Sequence, residues 1–348
     1  YGVMEDCDCL VRYGRLVNSG EETVTVNRLM SMQLDMEAGV LKITDFHGDW
    51  AREMAKNETI LRQGKYVNDT SVGFSSNRAN PLFIWADTET TQETEEVPQI
   101  LHFVDAWGEW HDCIIDPEVP KHTYDWDGLG RDGELVTYEN DSRFRVRYGV
   151  DVSKYQGKID WQRVKESGID FAIVRIGYRG YGNAGNLKAD DCYARNIEEA
   201  RKTGMDVGVY FFSQAINEKE ATEEADFVIG LLDGYELQLP VVYDPELIRD
   251  DVARTDEVTG EQFTANTIAF CERIKEAGYQ PMIYSNMVWE SELFDLKQLQ
   301  DYPIWYADYE PIPQTPYNFV MWQYTEKGTV DGINGIVDRN VWFVPTEE

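Results

Sequence analysis

The apolar positions change rhythm near residue 148. Upstream, short alternating stretches at Glu22–Met32, Gly39–Phe46, Leu82–Ala86 and Ile100–Val104 predict strands. Asp49–Arg62 reads as a helix between them, and Asp87–Glu96 is an acidic, Thr-rich loop without apolar periodicity. Downstream the pattern is regular. Buried-type strands are expected at Arg147–Val152, Asp170–Gly177, Met205–Ser213, Leu239–Asp244, Gln280–Ser285, Pro303–Asp308, Phe319–Tyr324 and Val337–Phe343. Amphipathic stretches at Asp160–Ser167, Asp191–Thr203, Asn217–Asp233 and Thr259–Ala277 separate the early ones, with Asp160 as an N-cap and Trp161 as a core anchor. Gly168, Gly204 and Gly278 each stand between a helix and the next strand, where a left-handed residue ends a helix without strain.

Strand, helix, Gly, strand, repeated, predicts a parallel sheet with right-handed crossovers. The fold class is α/β: an irregular TIM-like (β/α) barrel over 148–348, preceded by a small β-rich domain over 1–115. Residues 116–147, rich in Pro, Gly, Asp and Tyr, are expected to be an extended linker packed on its neighbour.

Composition narrows the chemistry. The 348 residues carry 32 basic and 64 acidic side chains, a net charge of −32. Such a chain repels phosphate backbones, so no nucleic-acid partner is expected. No apolar run is long enough to span a bilayer. Five cysteines are too few for a disulfide scaffold. Cys192 and Cys271 fall in helical patterns and read as buried thiols, whereas Cys113 could bridge to Cys7 or Cys9. The chain opens at Tyr1 with neither an initiator Met nor an apolar leader, so a leader or anchor is expected outside it.

In parallel β/α folds, functional groups gather at the carboxyl ends of the strands. The expected strand ends place Asp151, Asp244, Glu246, Asp308 and Gln323 there, with Asp338 at the start of the last strand. Asp244 and Glu246, two apart, face the same side, with Cα atoms about 6.5–7 Å apart. Paired carboxylates disfavour joint ionisation, so one can stay protonated as a general acid while the other is charged. That division suits glycoside cleavage. All four histidines precede residue 123 and no phosphate-binding G-x-x-x-x-G-K-[ST] loop exists, which excludes His-dependent triads in the barrel and P-loop sites. No metal site or cofactor is expected. Gly177–Gly185 lacks the dinucleotide spacing and reads as a mobile rim loop. Tyr178, Tyr181, Tyr210, Tyr284, Trp305, Tyr306, Tyr309, Trp322 and Tyr324 fall near strand ends, where rings suit sugar faces, although about half should fill the barrel interior.

These residues also carry a likeness. Tyr148–Trp161 (YGVDVSKYQGKIDW), Gly208–Ala215 (GVYFFSQA), Pro240–Glu246 (PVVYDPE), Pro281–Asn286 (PMIYSN), Ile304–Tyr309 (IWYADY), Met321–Gly335 (MWQYTEKGTVDGING) and Val337–Asn340 (VDRN) resemble, in order, glycoside hydrolase family 25, the Chalaropsis-type lysozymes. The resemblance implies a lysozyme (muramidase) hydrolysing the β-1,4 bond between N-acetylmuramic acid and N-acetylglucosamine in peptidoglycan. It implies Glu246 as general acid, Asp244 as its assistant, and Asp151 and Asp338 as flanking acids. Tyr210, Trp305, Asp308 and Gln323 would line the sugar sites. One departure is Pro245, where the family usually has an aliphatic or aromatic residue; a proline there must end or bulge the strand.

Alternatives are a chitinase-like N-acetylglucosaminide hydrolase and a non-catalytic wall-glycan-binding protein. The expected partner is the peptidoglycan glycan strand, met by a monomer that is secreted or held at a bacterial cell surface. For the N-terminal part the options are a spacer, an interaction module or a glycan-binding module, with Trp85, Trp107 and Trp110 as ring candidates.

Overall fold

The computed structural model describes residues 2–4, 9–11, 41–49, 52–61, 84–88, 99–104 and 110–346. The chain divides into two units, Tyr1–Pro98 and Gln99–Glu348. The expected strand at Glu22–Met32 and most of the acidic loop lie outside the described residues.

The described residues of the first unit are β structure. Strands β1 (Gly2–Met4) and β2 (Cys9–Val11) pair antiparallel, and β3 (Leu41–Asp49) pairs antiparallel with both β4 (Arg52–Leu61) and β5 (Ile84–Thr88). The helix expected over Asp49–Arg62 is therefore wrong: its described residues are the end of β3 and the whole of β4. Its Arg, Glu, Met, Ala and Lys residues favour helix by a few tenths of a kcal/mol each, roughly, and pairing along the whole of β3 overrides so weak a preference.

In the second unit, β6 (Gln99–Val104) and β7 (Trp110–Ile115) form a hairpin. Residues 116–147, expected as an extended linker, are more ordered than that. They hold a 3-10 turn at Trp126–Gly128 and a second hairpin, β8 (Leu129–Asp132) with β9 (Leu135–Tyr138). Tyr124 is buried and donates its hydroxyl to the Phe319 carbonyl at 2.5 Å, and its ring packs 4.3 Å from that of Phe343.

The rest is an eight-stranded closed barrel. Its strands are β10 (Phe144–Val152), β11 (Phe171–Arg179), β13 (Asp206–Ser213), β14 (Val241–Pro245), β15 (Pro281–Asn286), β16 (Ile304–Ala307), β17 (Met321–Gly328) and β18 (Val337–Pro345). From β10 through β17 neighbours pair in parallel, whereas β18 runs antiparallel to both β17 and β10 and closes the ring. That reversal brings the beginning of β18 to the end of β10, with Asp338 opposite Asp151. The crossovers carry α1 (Trp161–Glu166), α2 (Tyr193–Lys202), α3 (Glu218–Leu231), α4 (Gly260–Glu276) and α5 (Leu296–Leu299). Asp160 caps α1, and the glycines after α1, α2 and α4 take φ of 92°, 77° and 89°, as the sequence pattern requires.

Of Gly177–Gly185, read as a rim loop, residues 177–179 belong to β11 and residues 180–185 form the loop. The short β12 (Leu187–Ala189) turns back antiparallel on β11, leaving a tight connection that Gly180 and Asn186 close with a 3.0 Å backbone bond.

Two apolar layers hold the barrel. Outward-facing residues such as Val174, Val209, Phe211, Tyr243, Tyr306 and Trp322 pack beneath the helices and connecting segments. The interior holds Phe171, Ile173, Val242, Met282, Trp305 and Met321. Gly149 makes room there, since a Cβ at that position would lie 2.1 Å from the Phe171 ring. Each such fully buried large side chain contributes roughly 1.5–3 kcal/mol.

Candidate active site

Polarity changes along the inward face of each strand. Residues two apart point the same way, and one step beyond the apolar layer Ile173 gives way to Arg175, Gly208 to Tyr210, Val242 to Asp244, Met282 to Tyr284 and Met321 to Gln323. The carboxyl end of the barrel thus becomes polar by a single alternation on each of these strands.

At its centre is Asp151, 4% exposed. Its Oδ2 accepts from Gln323 Nε2 at 3.0 Å and from Asn340 Nδ2 at 2.8 Å. Each amide is itself oriented. Tyr284 and Tyr309 hydroxyls both donate to Gln323 Oε1 at 2.9 Å, and the Trp305 indole donates to Asn340 Oδ1 at 2.8 Å. Burial pushes the Asp151 carboxyl up, while bonds from Asn340, Gln323 and Asp338 hold it down. Asp338 is raised to about 9, first by burial and then by the charge and hydrogen bond of Asp151, so the two acids share a proton.

Asp244 and Glu246 complete the acidic group. β14 ends at Pro245, whose partner is Ser213, as the loss of a ladder donor demands. Asp244 is 4% exposed, and its Oδ1 finds no protein donor. Burial, then the charges of Glu246 and Asp151, push this carboxyl well up against the pull of Arg175. Glu246 is half-buried and raised to about 7, by burial first and by Asp151 next, again opposed by Arg175. Its backbone carbonyl accepts from Gln214 Nε2 at 2.6 Å, and Gln214 Oε1 accepts from Thr255 Oγ1 at 3.0 Å. This clamp fixes the chain immediately after the strand.

The structure brings Asp151, Asp244, Glu246, Asp338, Tyr210 and Gln323 together around one electrostatic centre: the Tyr210 hydroxyl feels Asp151, Arg175, Asp244 and Asp338. Trp305 is 1% exposed and lies beneath them, its ring 4.9 Å from Tyr284 and 6.2 Å from Tyr210. Asp308 sits apart. Its carboxylate accepts from Glu310 N at 2.9 Å, Gln314 N at 2.8 Å and Tyr306 OH at 3.0 Å, which braces the loop that carries Tyr309. The expected ring of aromatics divides by parity. Tyr210, Tyr284 and Trp305 face inward, whereas Tyr306, Trp322 and Tyr324 are buried in the outer layer. Cys113 is a free, buried thiol; Cys7, one of the two partners considered for it, lies outside the described residues.

Arg175 is the functional residue the motif reading passed over. It is the cation that opposes the rise of both Asp244 and Glu246, and Asp190 holds it at 2.7 Å. A charged residue in the middle of the apolar run Phe171–Ile176 was the available signal. Asn340 lay inside a recognised motif, but nothing in the order of residues said that its amide reaches Asp151.

Carboxylates converging at the carboxyl end of a β/α barrel, one of them raised toward neutrality, suit glycoside cleavage. The chain belongs to glycosyl hydrolases family 25, whose model matches residues 150–333. A model of the glycosyl hydrolase family 36 N-terminal domain matches residues 1–102. The uncharacterized protein YegX of Escherichia coli K12 is 30% identical over 213 residues, 58% of this chain and 71% of YegX. Lysozyme M1 of Streptomyces globisporus is 28% identical over 202 residues, 55% of this chain and 66% of that enzyme. Among solved structures, the modular autolysin LytC from Streptococcus pneumoniae in complex with a synthetic peptidoglycan ligand superposes with a TM-score of 0.51 at 26% identity, covering 70% of this chain and 56% of LytC. This chain therefore spans little more than half the length of that autolysin. Among the described residues no helix is long and apolar enough to cross a membrane.

Proposed function

We propose that the chain is a lysozyme that hydrolyses the β-1,4 bond between N-acetylmuramic acid and N-acetylglucosamine. The observation that carries this reading is Asp244 and Glu246 at the end of β14. One is a buried carboxyl with an oxygen lacking any protein donor; the other is a half-buried carboxyl raised to about 7. Glu246, raised to about 7, keeps a proton on a large share of molecules at neutrality and gives it to the glycosidic oxygen as the bond breaks. Asp244 Oδ1 accepts the N–H of the substrate's 2-acetamido group, whose carbonyl oxygen bonds to the anomeric carbon as the glycosidic oxygen leaves; water then attacks that carbon, breaking the new bond, and gives its proton to the Glu246 carboxylate, which restores the acid. Asp151 and Asp338, sharing a proton, keep the local field negative and so keep Glu246 protonated and an oxocarbenium-like transition state favoured. Tyr210 lines the sugar site, while Gln323, Trp305 and Asp308 hold its walls. The family match and the lysozyme and autolysin relatives support the substrate.

In this reading the protein works on peptidoglycan outside the bacterial cell, as a monomer, and the β-rich first unit is an accessory part. The match to a family 36 N-terminal domain supports a carbohydrate-enzyme accessory role for it. Purified peptidoglycan and chitin oligomers, digested side by side and then reduced with borohydride, test the substrate. A new muramic acid reducing end supports the proposal. New N-acetylglucosamine ends would make it a glucosaminidase or chitinase, and binding without release of ends a glycan-binding protein.

A further inference from the structure

Asp151 is followed by a 3-10 turn, Lys154–Gln156, that is tightly fixed. Ser153 caps it reciprocally with Gln156, and the Lys154 backbone N–H donates to Asp190 Oδ2 at 3.1 Å. Asp190 is also the partner of Arg175. The turn and β11 thus place two cations against two rings. The Lys154 ammonium lies 5.7 Å from the ring centroids of both Tyr155 and Tyr178, and the Arg175 guanidinium lies 5.1 Å and 5.6 Å from the same two.

The two cations differ in what they have left to give. Arg175 is 12% exposed and ion-paired to an Asp190 side chain that is fully buried. Lys154 is half-buried, its ammonium faces the two rings, and it forms no ion pair among the described residues. Beside it Tyr155 is 77% exposed. This corner adjoins a group of four carboxylates in a chain of net charge −32. An anionic substrate group approaching that cleft is repelled by the acids unless a local cation receives it. An ammonium already partly stripped of water by two aromatic rings is suited to do so.

We propose that Lys154, framed by Tyr155 and Tyr178, is the subsite for a carboxylate borne by the muramic acid side of the substrate, with the exposed Tyr155 ring against the adjoining sugar face. The proposal rests on the muramidase reading and names the residue that sets its preference for a charged glycan over an uncharged one. A polymer of N-acetylglucosamine has no group for this ammonium; muramic acid carries a lactyl carboxylate, or the carboxylates of a stem peptide attached there.

The test measures KM and kcat of wild type, Lys154→Met and Lys154→Arg on peptide-free strands, peptide-bearing strands, and peptide-free strands whose carboxylates have been converted to methylamides. Lys154→Met should raise KM on carboxylate-bearing strands by roughly three- to tenfold, the worth of one partly exposed charge-assisted contact. kcat should move less than about twofold, Lys154→Arg should restore most of the loss, and on neutralised strands Lys154→Met and wild type should have the same KM. A loss on peptide-free strands identifies the lactyl carboxylate, and a loss confined to peptide-bearing strands identifies the stem. Equal KM for Lys154→Met and wild type on every substrate, or the same rise on charged and neutralised strands, overturns the assignment. Wild type that releases no muramic ends from any strand overturns the muramidase reading instead.

Discussion

Two glutamates on opposite sides of the sheet, one buried and one half-buried, are both raised to about 7, and they do different things. Glu224, on α3 outside the barrel, is fully buried and fully provided for. It accepts from Arg179 Nε at 2.7 Å, Ser213 Oγ at 2.6 Å and the Gln214 N–H at 3.4 Å. Burial alone raises it, against every one of those partners. Glu246, inside, is raised by burial and by the charge of Asp151, with Arg175 opposing, and it remains half-open to a substrate. A carboxyl near neutrality is therefore not enough to mark an acid catalyst. What separates the two is whether hydrogen-bonding capacity is already used and whether the group can be reached.

The largest effect should come from removing the accessible proton. Glu246→Gln is expected to lower kcat on peptidoglycan by about 10⁴-fold while leaving the thermal midpoint unchanged, as steady-state assay and calorimetry would show. A variant within tenfold of wild type would remove Glu246 from its role. Asp244→Asn should lower kcat by about 10³-fold, since the oxygen meant for the acetamido N–H would now be a coin-toss between acceptor and donor; a loss under tenfold, or ~1.4 kcal/mol, would end that role.

The outer glutamate should respond in the opposite currency. Glu224→Ala leaves Arg179, 5% exposed, facing no buried carboxylate, and is expected to destabilise by about 3 kcal/mol with kcat little changed. Calorimetry that shows no loss of stability would contradict the contrast. A third buried acid, Glu290, bonded to Thr315 and raised to about 8 by burial, adds a pH signature. Its folded pKa lies above its unfolded value of about 4.3, so the folded state holds a proton the unfolded chain releases. That contribution is present in full below pH about 4.3 and is lost as pH climbs through about 8. The thermal midpoint should therefore fall between pH 5 and 8, and Glu290→Gln should flatten the fall. The smallest effect is expected at Tyr309→Phe, which deletes one of two donors to Gln323 and should lower kcat/KM about threefold; a loss of a hundredfold would make Tyr309 a direct participant.

Much of the barrel was legible because its signals are local. Apolar runs, helix stripes and the glycines at 168, 204 and 278 place most strand and helix ends within two residues, the start of β10 and the end of β17 reaching further than expected. Asp244 and Glu246 were legible for the same reason, being two apart on one strand. β4 was misread because its composition favours helix while its structure comes from pairing with β3, a contact that composition does not encode. Asp308 stands at the expected strand end, yet its carboxylate turns to the backbone of residues 310 and 314, a matter of loop geometry. Asn340 and Arg175 reach the site through side-chain partners elsewhere in the fold, Asp151 on β10 and Asp190 just after β12, and such pairings become visible only when the strands are assembled.

The central claim is that Glu246 is the proton donor because Asp151 helps hold its proton. The pH dependence of kcat/KM for wild type and Asp151→Asn tests it most directly, since that quantity reports groups of the free enzyme. Wild type should lose activity as pH rises through about 7. Asp151→Asn, slower overall, should lose activity at lower pH, because the neighbouring charge that raises Glu246 is gone. A basic limb that stays in place, or moves up, would contradict the account.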